Sequence, residues 1–367
     1  MKMKTGFRHT GTSFLKFGFV CGAILFGLAN FSHGQSSSGD TFTNPVLDSG
    51  ADPWVFQKDG YCYYMNSMGR NLTLWKTPSI PDLKKAEKKV VWRPPSSGPY
   101  SKELWAPEIH FLEGKWYIYF AADAGSNPSH RIWVLENASP DPMQGEWIMK
   151  GKLADATDRW AIDASVFENQ GRLYAIWSGW EYETNGVQGI YIAAMKNPWT
   201  IDGPRARISA PTFPWETVGD LKANPASGDP AHVDVNEGPE ILKHGDKLFL
   251  IYSASGCWTE HYCLGMLTAD AGSDLLNPAS WKKSPEPLLT ARPEAKAYAP
   301  GHCGFFKSPD GTEDWVIFHA NSEPGQGCGR FRSPRAQKIP WKTDGTPDFG
   351  QPIPLATPIR RPSGEKR

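Results

Sequence analysis

Short apolar runs alternate along the chain with polar, glycine-containing turns, and one pattern recurs five times: a polar residue, a short apolar strand, a turn, and a second apolar strand. The copies are ADPWVFQKDGYCYYMNS, APEIHFLEGKWYIYFAAD, IDASVFENQGRLYAIWSGW, EGPEILKHGDKLFLIYSAS and GHCGFFKSPDGTEDWVIFHANS. Asp59-Gly60, Glu113-Gly114, Gln170-Gly171, His244-Gly245 and Asp310-Gly311 supply the backbone conformations that tight turns demand, so each copy predicts a β-hairpin. A third strand-like run follows every hairpin (LTLWKT, RIWVLE, GIYIAAM, CLGMLTA, RFRSPRAQKI). An irregular fourth segment comes next, such as KKVVWRP or EWIMKGKL. Helical periodicity is nearly absent, apart from one turn around Asp82–Lys89.

Four strands per unit, repeated around an axis, predict an all-β fold, a five-bladed β-propeller. The first strand of each blade would line a central channel. Asp52, Glu108, Asp163, Glu237 and His302, read as holding the same place in their blades, would then converge at one mouth. Like charges brought together repel, and burial raises that cost, so several acids at one mouth point to function.

The opening residues change the picture of where the fold begins. Lys2, Lys4, Arg8 and Lys16 flank or precede an apolar run from Phe17 to Leu28 that is too short for a lasting membrane span, with Ser32 and Gly34 at a cleavage-type site. Residues 1–34 therefore read as a secretory signal, and 35–367 as a single catalytic domain. The expected location is exported, periplasmic or extracellular. Val20 before Cys21 argues against a lipid anchor, and no later segment suits membrane insertion.

Lys plus Arg and Asp plus Glu each number 39, so no global field draws the chain to nucleic acid. Aromatic residues make up 13% of the chain, with 16 Trp, which favours a neutral carbohydrate partner, since sugars stack on flat apolar faces. Oligomeric state is not legible. Of the five cysteines beyond the leader, Cys257 with Cys263 or Cys303 with Cys328 are candidate disulfides, and buried free thiols are the alternative. No spacing suits a zinc site.

Glycosidic cleavage needs one carboxylic acid to protonate the leaving oxygen and a second carboxylate on the opposite side of the sugar. Asp52, Asp163 and Glu237 supply that inventory, although each taken singly also suits a strand-starting turn. Glu240, three positions after Glu237 on a strand, is expected on the other face and ranks below it.

These residues resemble glycoside hydrolase family 43, a family acting on arabinans, arabinoxylans and xylosides with inversion. The resemblance runs from about Asn44 to Pro354 and rests on ADPWV, LWAPEIH, AIDASVF, NEGPEI, PGH and RSPRAQKIPWKTDGTP. It implies that Asp52 is the general base, Glu237 the general acid, and Asp163 the residue that raises the acid's pKa and holds it in position. Trp105 would form a wall for the sugar, with a core tryptophan as the alternative, and Glu108 would shape the channel. Arg332, rather than its neighbours Arg330 and Arg335, would reach the bound sugar. His302 resembles a channel histidine that borders a hydrated calcium in some members. Calcium in the channel is thus the one metal to consider, and no cofactor is required.

The resemblance further implies release of terminal α-L-arabinofuranosyl residues from arabinan or arabinoxylan-type polysaccharides or oligosaccharides of plant type. An apparent end near Pro354 without a C-terminal β-sandwich adds to that expectation. The rival is β-xylosidase, and a non-catalytic sugar-binding propeller stands behind it. Retaining five-bladed enzymes that cleave sucrose or fructans would carry an Asn-Asp-Pro-Asn type motif, whereas Ala51-Asp52-Pro53-Trp54 stands here.

Overall fold

A computed structural model describes residues 40–221 and 230–365, with three isolated positions nearer the start (Gly11, Ser13 and Leu15). Apart from those three, the expected signal segment 1–34 lies outside the described residues, and the fold is that of the unit Ser38–Arg367.

Among the described residues the fold is all-β, with helix confined to short 3-10 turns such as Ile80–Lys85. Strands follow one another as antiparallel meanders. The first unit runs Ala51–Lys58, Tyr61–Ser67, Leu72–Thr77 and Glu87–Trp92. The second runs Lys102–Leu112, Lys115–Asp123, Arg131–Asn137 and Ile148–Leu153. The third starts at Ala161–Asn169 and the fourth at Asp234–His244. A short parallel pairing of Val187 with Asp234 and Gln188 with Val235 merges these two into one eight-stranded sheet. The last unit, from Tyr298–Lys307 through Asp314–Asn321 to Ser333–Ile339, has three strands instead of the expected four. Alongside its third strand runs the amino-terminal stretch: Val46 N–H donates to Pro334 O, Gly50 N–H to Arg332 O, and the Asn44 side chain bonds both Ala336 N and Ala336 O. Thr41–Phe42 pairs with Ile359–Arg360, so the two ends of this unit are zipped together.

The turns follow from their residues. Asp59-Gly60, Glu113-Gly114 and Gln170-Gly171 all take positive φ, the conformation of a two-residue hairpin turn that matches strand twist. The fourth hairpin differs from the expected His244-Gly245 turn: His244 pairs with Lys247, so the turn is Gly245-Asp246.

Packing explains why the middle strands read as continuous apolar runs. Successive side chains point to opposite faces, and in these units both faces are covered. Ile118 and Phe120 join Tyr63, Leu72 and Leu74 in a core between the first two units, while Tyr117 and Tyr119 join Val166, Trp177 and Tyr191 in the next. Leu250 and Tyr252 likewise face Ile190 and Ile192, whereas Phe249 and Ile251 face Val316 and Phe318. A fifth core joins Val55, Tyr64 and Trp75 of the first unit to Trp315 and Ile317 of the last. Five cores thus alternate with five units. The first strands pack against one another in the same cyclic order.

Candidate active site

Each of the five first strands breaks register against its neighbour, once in the first, third and fourth units and twice in the second and last. At one such break in each sits a left-handed residue: Asp52 (φ 56°), Ala106 (φ 40°), Asp163 (φ 55°), Gly238 (φ 54°) and His302 (φ 45°). Such a bulge re-aims the side chain at the strand's leading end. For a non-glycine residue it stores about 1–3 kcal/mol that the surrounding sheet must hold.

This geometry corrects the expected equivalence. Asp52, Asp163 and His302 do share one place in their units, but Glu237 stands one residue before it and Glu108 two residues after. The position that matches Asp52 in the second unit is Ala106, and in the fourth Gly238. Glu240 is corrected too. Three residues from Glu237 to Glu240 oppose only two on the partner strand, Ser253 to Ile251, so the bulge returns Glu240 to the same face as Glu237. There it hydrogen-bonds Glu108 and accepts from Ser165 Oγ at 3.1 Å, while His110 Nε2 lies 2.9 Å from Glu108 Oε2. Burial, reinforced by the Glu108 charge, pushes the Glu240 carboxyl well above the usual range. Neither Glu108 nor Glu240 is among the residues lining the pocket.

Asp52, Trp105, Asp163, Glu237, His302 and Arg332 all line one pocket of about 530 Å³. Burial, the largest single influence, would raise the Asp52 carboxyl, but the Arg332 guanidinium at 2.9 Å and the groups around it together outweigh it. With His302 and His319 each 3.5 Å away and Ser67 Oγ donating at 2.5 Å, Asp52 is held well below the usual carboxylate range. Its backbone N–H donates to His319 Nδ1 at 3.1 Å. Burial keeps the His319 ring neutral, its pKa well below that of a free imidazole.

Asp163 and Glu237 are pushed the other way. Burial raises Asp163 well above its ordinary value, with the Glu237 and Asp52 charges adding to it, while Gly238 N–H donates to Asp163 Oδ2 at 3.1 Å and opposes the rise. Glu237 is pushed up to about 7, mainly by burial and further by Asp52; the Tyr262 hydroxyl, donating to Oε1 at 2.8 Å, works against the rise. Within a single pocket one buried carboxyl is therefore pushed towards the ionised form and two towards the protonated form.

The arginine choice resolves by environment. Arg332 reaches Asp52, Arg335 is buried against the carbonyls of Lys296 and Asn321, and Arg330 stacks beside Phe331. Calcium takes 6–8 oxygen ligands, and the side chains nearest His302 offer only Asp52 and Asp163, both already hydrogen-bonded. Among the described residues no group of three or more His, Cys, Asp or Glu could hold a metal ion. These side chains alone do not complete a calcium shell, and a hydrated ion beside His302 would have to draw its remaining ligands from water.

Sequence reasoning missed Tyr262, His319 and Ser67, which act on the acids from other strands, and Glu103, Trp160 and Trp258, which line the pocket. The expected disulfides are also corrected. Cys257 bonds Cys328 across two loops at the pocket wall, and Cys62, Cys263 and Cys303 are buried free thiols. A separation of 71 residues leaves no local signal for this pairing.

Comparison with known proteins agrees with this geometry. The chain is 38% identical over 329 residues to the "Extracellular exo-alpha-(1->5)-L-arabinofuranosidase" of Streptomyces avermitilis, covering 87% of this chain and 66% of that one. It is also 38% identical to the protein of the same name from Streptomyces chartreusis, covering 76% and 82%. It thus spans just under two thirds of the length of the first relative. Among solved structures, the α-L-arabinofuranosidase from Lactobacillus brevis superposes with a TM-score of 0.78 at 33% identity, covering 86% of this chain and 98% of that one. The profile of "Glycosyl hydrolases family 43" matches residues 42–347, the stretch that carries all six of the pocket residues read from the sequence, and the chain belongs to that family.

Proposed function

We propose that this protein is an exo-acting, inverting α-L-arabinofuranosidase that removes terminal α-L-arabinofuranosyl residues from arabinan or arabinoxylan-type chains. Its five units would close as a five-bladed β-propeller. Five cores in cyclic order and the cyclic packing of the first strands support that architecture. The observation that carries the reaction is the opposed push on two buried carboxyls: Asp52 is held ionised and Glu237 is raised to about 7.

Protonated Glu237 donates its proton to the glycosidic oxygen as the bond to the anomeric carbon breaks. Ionised Asp52 takes a proton from the water that attacks that carbon from the opposite side. The leaving sugar departs as a neutral alcohol, and after turnover Asp52 returns its proton to solvent while Glu237 takes one up from it. Asp163 is coupled to the acid, the Glu237 charge raising its carboxyl, and is fastened by Gly238 N–H next to Glu237, which suits a role in holding the acid in position. Trp105 and Arg332 would contact the sugar. The names of the Streptomyces relatives support arabinofuranose over xylose, and their "extracellular" supports export. Among the described residues no helix is long and apolar enough to cross a membrane.

The test is hydrolysis of p-nitrophenyl α-L-arabinofuranoside and p-nitrophenyl β-D-xylopyranoside by wild type, Glu237→Ala and Asp52→Ala, with the first-formed anomer read by NMR. Arabinoside turnover with inversion, abolished by Asp52→Ala, is expected. Preference for the xyloside would assign the protein as a β-xylosidase. Binding of arabino-oligosaccharides without turnover would make it a non-catalytic sugar-binding propeller.

A further inference from the structure

His130 follows the second unit's second strand and lies outside the recurring motifs. It is fully buried. Its ring stacks against Trp105, with centroids 4.0 Å apart and planes 25° from parallel. Nε2 lies 3.2 Å from the carbonyl oxygen of Glu103, Nδ1 lies 3.2 Å from that of Asn127, and Asp123 Oδ2 is 3.4 Å from Nδ1. The same Asn127 carbonyl accepts from Trp160 Nε1 at 2.9 Å, and the His130 carbonyl accepts from Ala161 N–H at 3.4 Å, one residue before Ile162. Glu103 is itself left-handed (φ 47°), a conformation that needs an external tie. Its carboxylate accepts from Trp105 Nε1 at 3.2 Å.

Glu103, Trp105, Asn127, Trp160 and Ile162 all line the pocket. One ring therefore touches or bonds the segments that carry five of its wall residues, while the carboxylates Asp52, Asp163 and Glu237 are held by other strands and partners. We propose that His130 is a positioning residue that fixes this aromatic wall against the sugar bound in the pocket, without contacting the sugar itself. Both ring nitrogens face carbonyl oxygens, which only accept; burial favours the neutral ring with its single N–H, so the ring donates one tie, either from Nε2 to Glu103 or from Nδ1 to Asn127 and Asp123, while its stack on Trp105 fills the space between the two segments. A loose wall costs sugar affinity, because stacking and hydrogen bonding to a sugar depend on placement to within a fraction of an ångström.

The inference rests on the proposed arabinofuranosidase reading. Its test compares His130→Phe, which keeps an aromatic ring against Trp105 but removes the donated tie, with His130→Gln, which keeps a donor but loses the stack. Thermal unfolding reports folding, and KM, kcat and the quenching of tryptophan fluorescence by L-arabinose report the wall. In folded His130→Phe, KM for p-nitrophenyl α-L-arabinofuranoside should rise up to about tenfold, the worth of one net hydrogen bond at the upper end of its range, with kcat within about threefold of wild type. His130→Gln should fall between the two. Wild-type KM and quenching in folded His130→Phe would overturn the proposal; should that variant fail to fold, the same result in His130→Gln would do so. If wild type releases no arabinose, the functional reading fails. The fluorescence titration still judges the wall: arabinose quenching in wild type that is weakened in the variants supports it, and equal quenching overturns it.

Discussion

The hydroxyl of Tyr262 offers a graded perturbation of the proposed acid. It donates to Glu237 Oε1 at 2.8 Å and opposes the burial that raises that carboxyl to about 7. The ring is fully buried beside Gly301, where it leaves no room for an added Cβ, and stacks parallel to His319 at 5.8 Å, so Tyr262→Phe should keep the packing and lose the hydroxyl alone, with its bonds to Glu237 and Ser253. A hydrogen bond to an ionised acceptor is worth about 1.5–3 kcal/mol and one to a neutral acceptor about 0.5–1.5 kcal/mol. The difference, about 1–1.5 kcal/mol, is what the hydroxyl contributes to keeping Glu237 ionised. At about 1.4 kcal/mol per pH unit this amounts to roughly one unit.

Removing a donor to the carboxylate disfavours the charged form, so Glu237 should hold its proton to higher pH. The alkaline limb of kcat/KM, which reports the free enzyme's acid, should move up by roughly one pH unit from near 7. The assay is kcat/KM on p-nitrophenyl α-L-arabinofuranoside across acid to alkaline pH, with thermal unfolding to verify the fold. An unmoved limb, or one shifted to lower pH, would refute the assignment of that limb to Glu237.

Asp52→Asn should lower kcat by about 10²–10⁴-fold, the usual worth of a positioned general base, while leaving sugar-induced fluorescence quenching in place; near-wild-type kcat would remove Asp52 from the chemistry. Replacing both Cys257 and Cys328 with serine should destabilise the protein by up to about 4 kcal/mol through the freed loop, read by urea unfolding. KM should rise as well, because both sulfurs line the pocket and Trp258 adjoins one of them. Phe318→Ala, fully buried between the fourth and fifth units, should cost about 3–5 kcal/mol of stability. Its folded fraction should keep the wild-type KM, since no residue of that core is among those lining the pocket.

Local chemistry made much of this protein legible from its residues. Asp59-Gly60, Glu113-Gly114 and Gln170-Gly171 set hairpins because positive φ is a property of a few residues, and apolar runs bounded by them make strands whatever the rest of the chain does. The acids of the pocket were readable because ADPWV, AIDASVF and NEGPEI are contiguous signals. Tertiary structure alone decided how those acids are arranged and charged. A left-handed bulge moves a side chain by one place, which is why Glu237 is offset from Asp52 and why Glu240 shares its face. The ionisation states come from groups distant in sequence: Arg332 and His319 reach Asp52 from the last unit, and Tyr262 reaches Glu237 from the fourth. Cys257 finds Cys328, and His130 sits between Glu103 and Asn127, for the same reason. Burial and proximity depend on which strands become neighbours, and a sequence pattern records a residue's own preferences but not its partners.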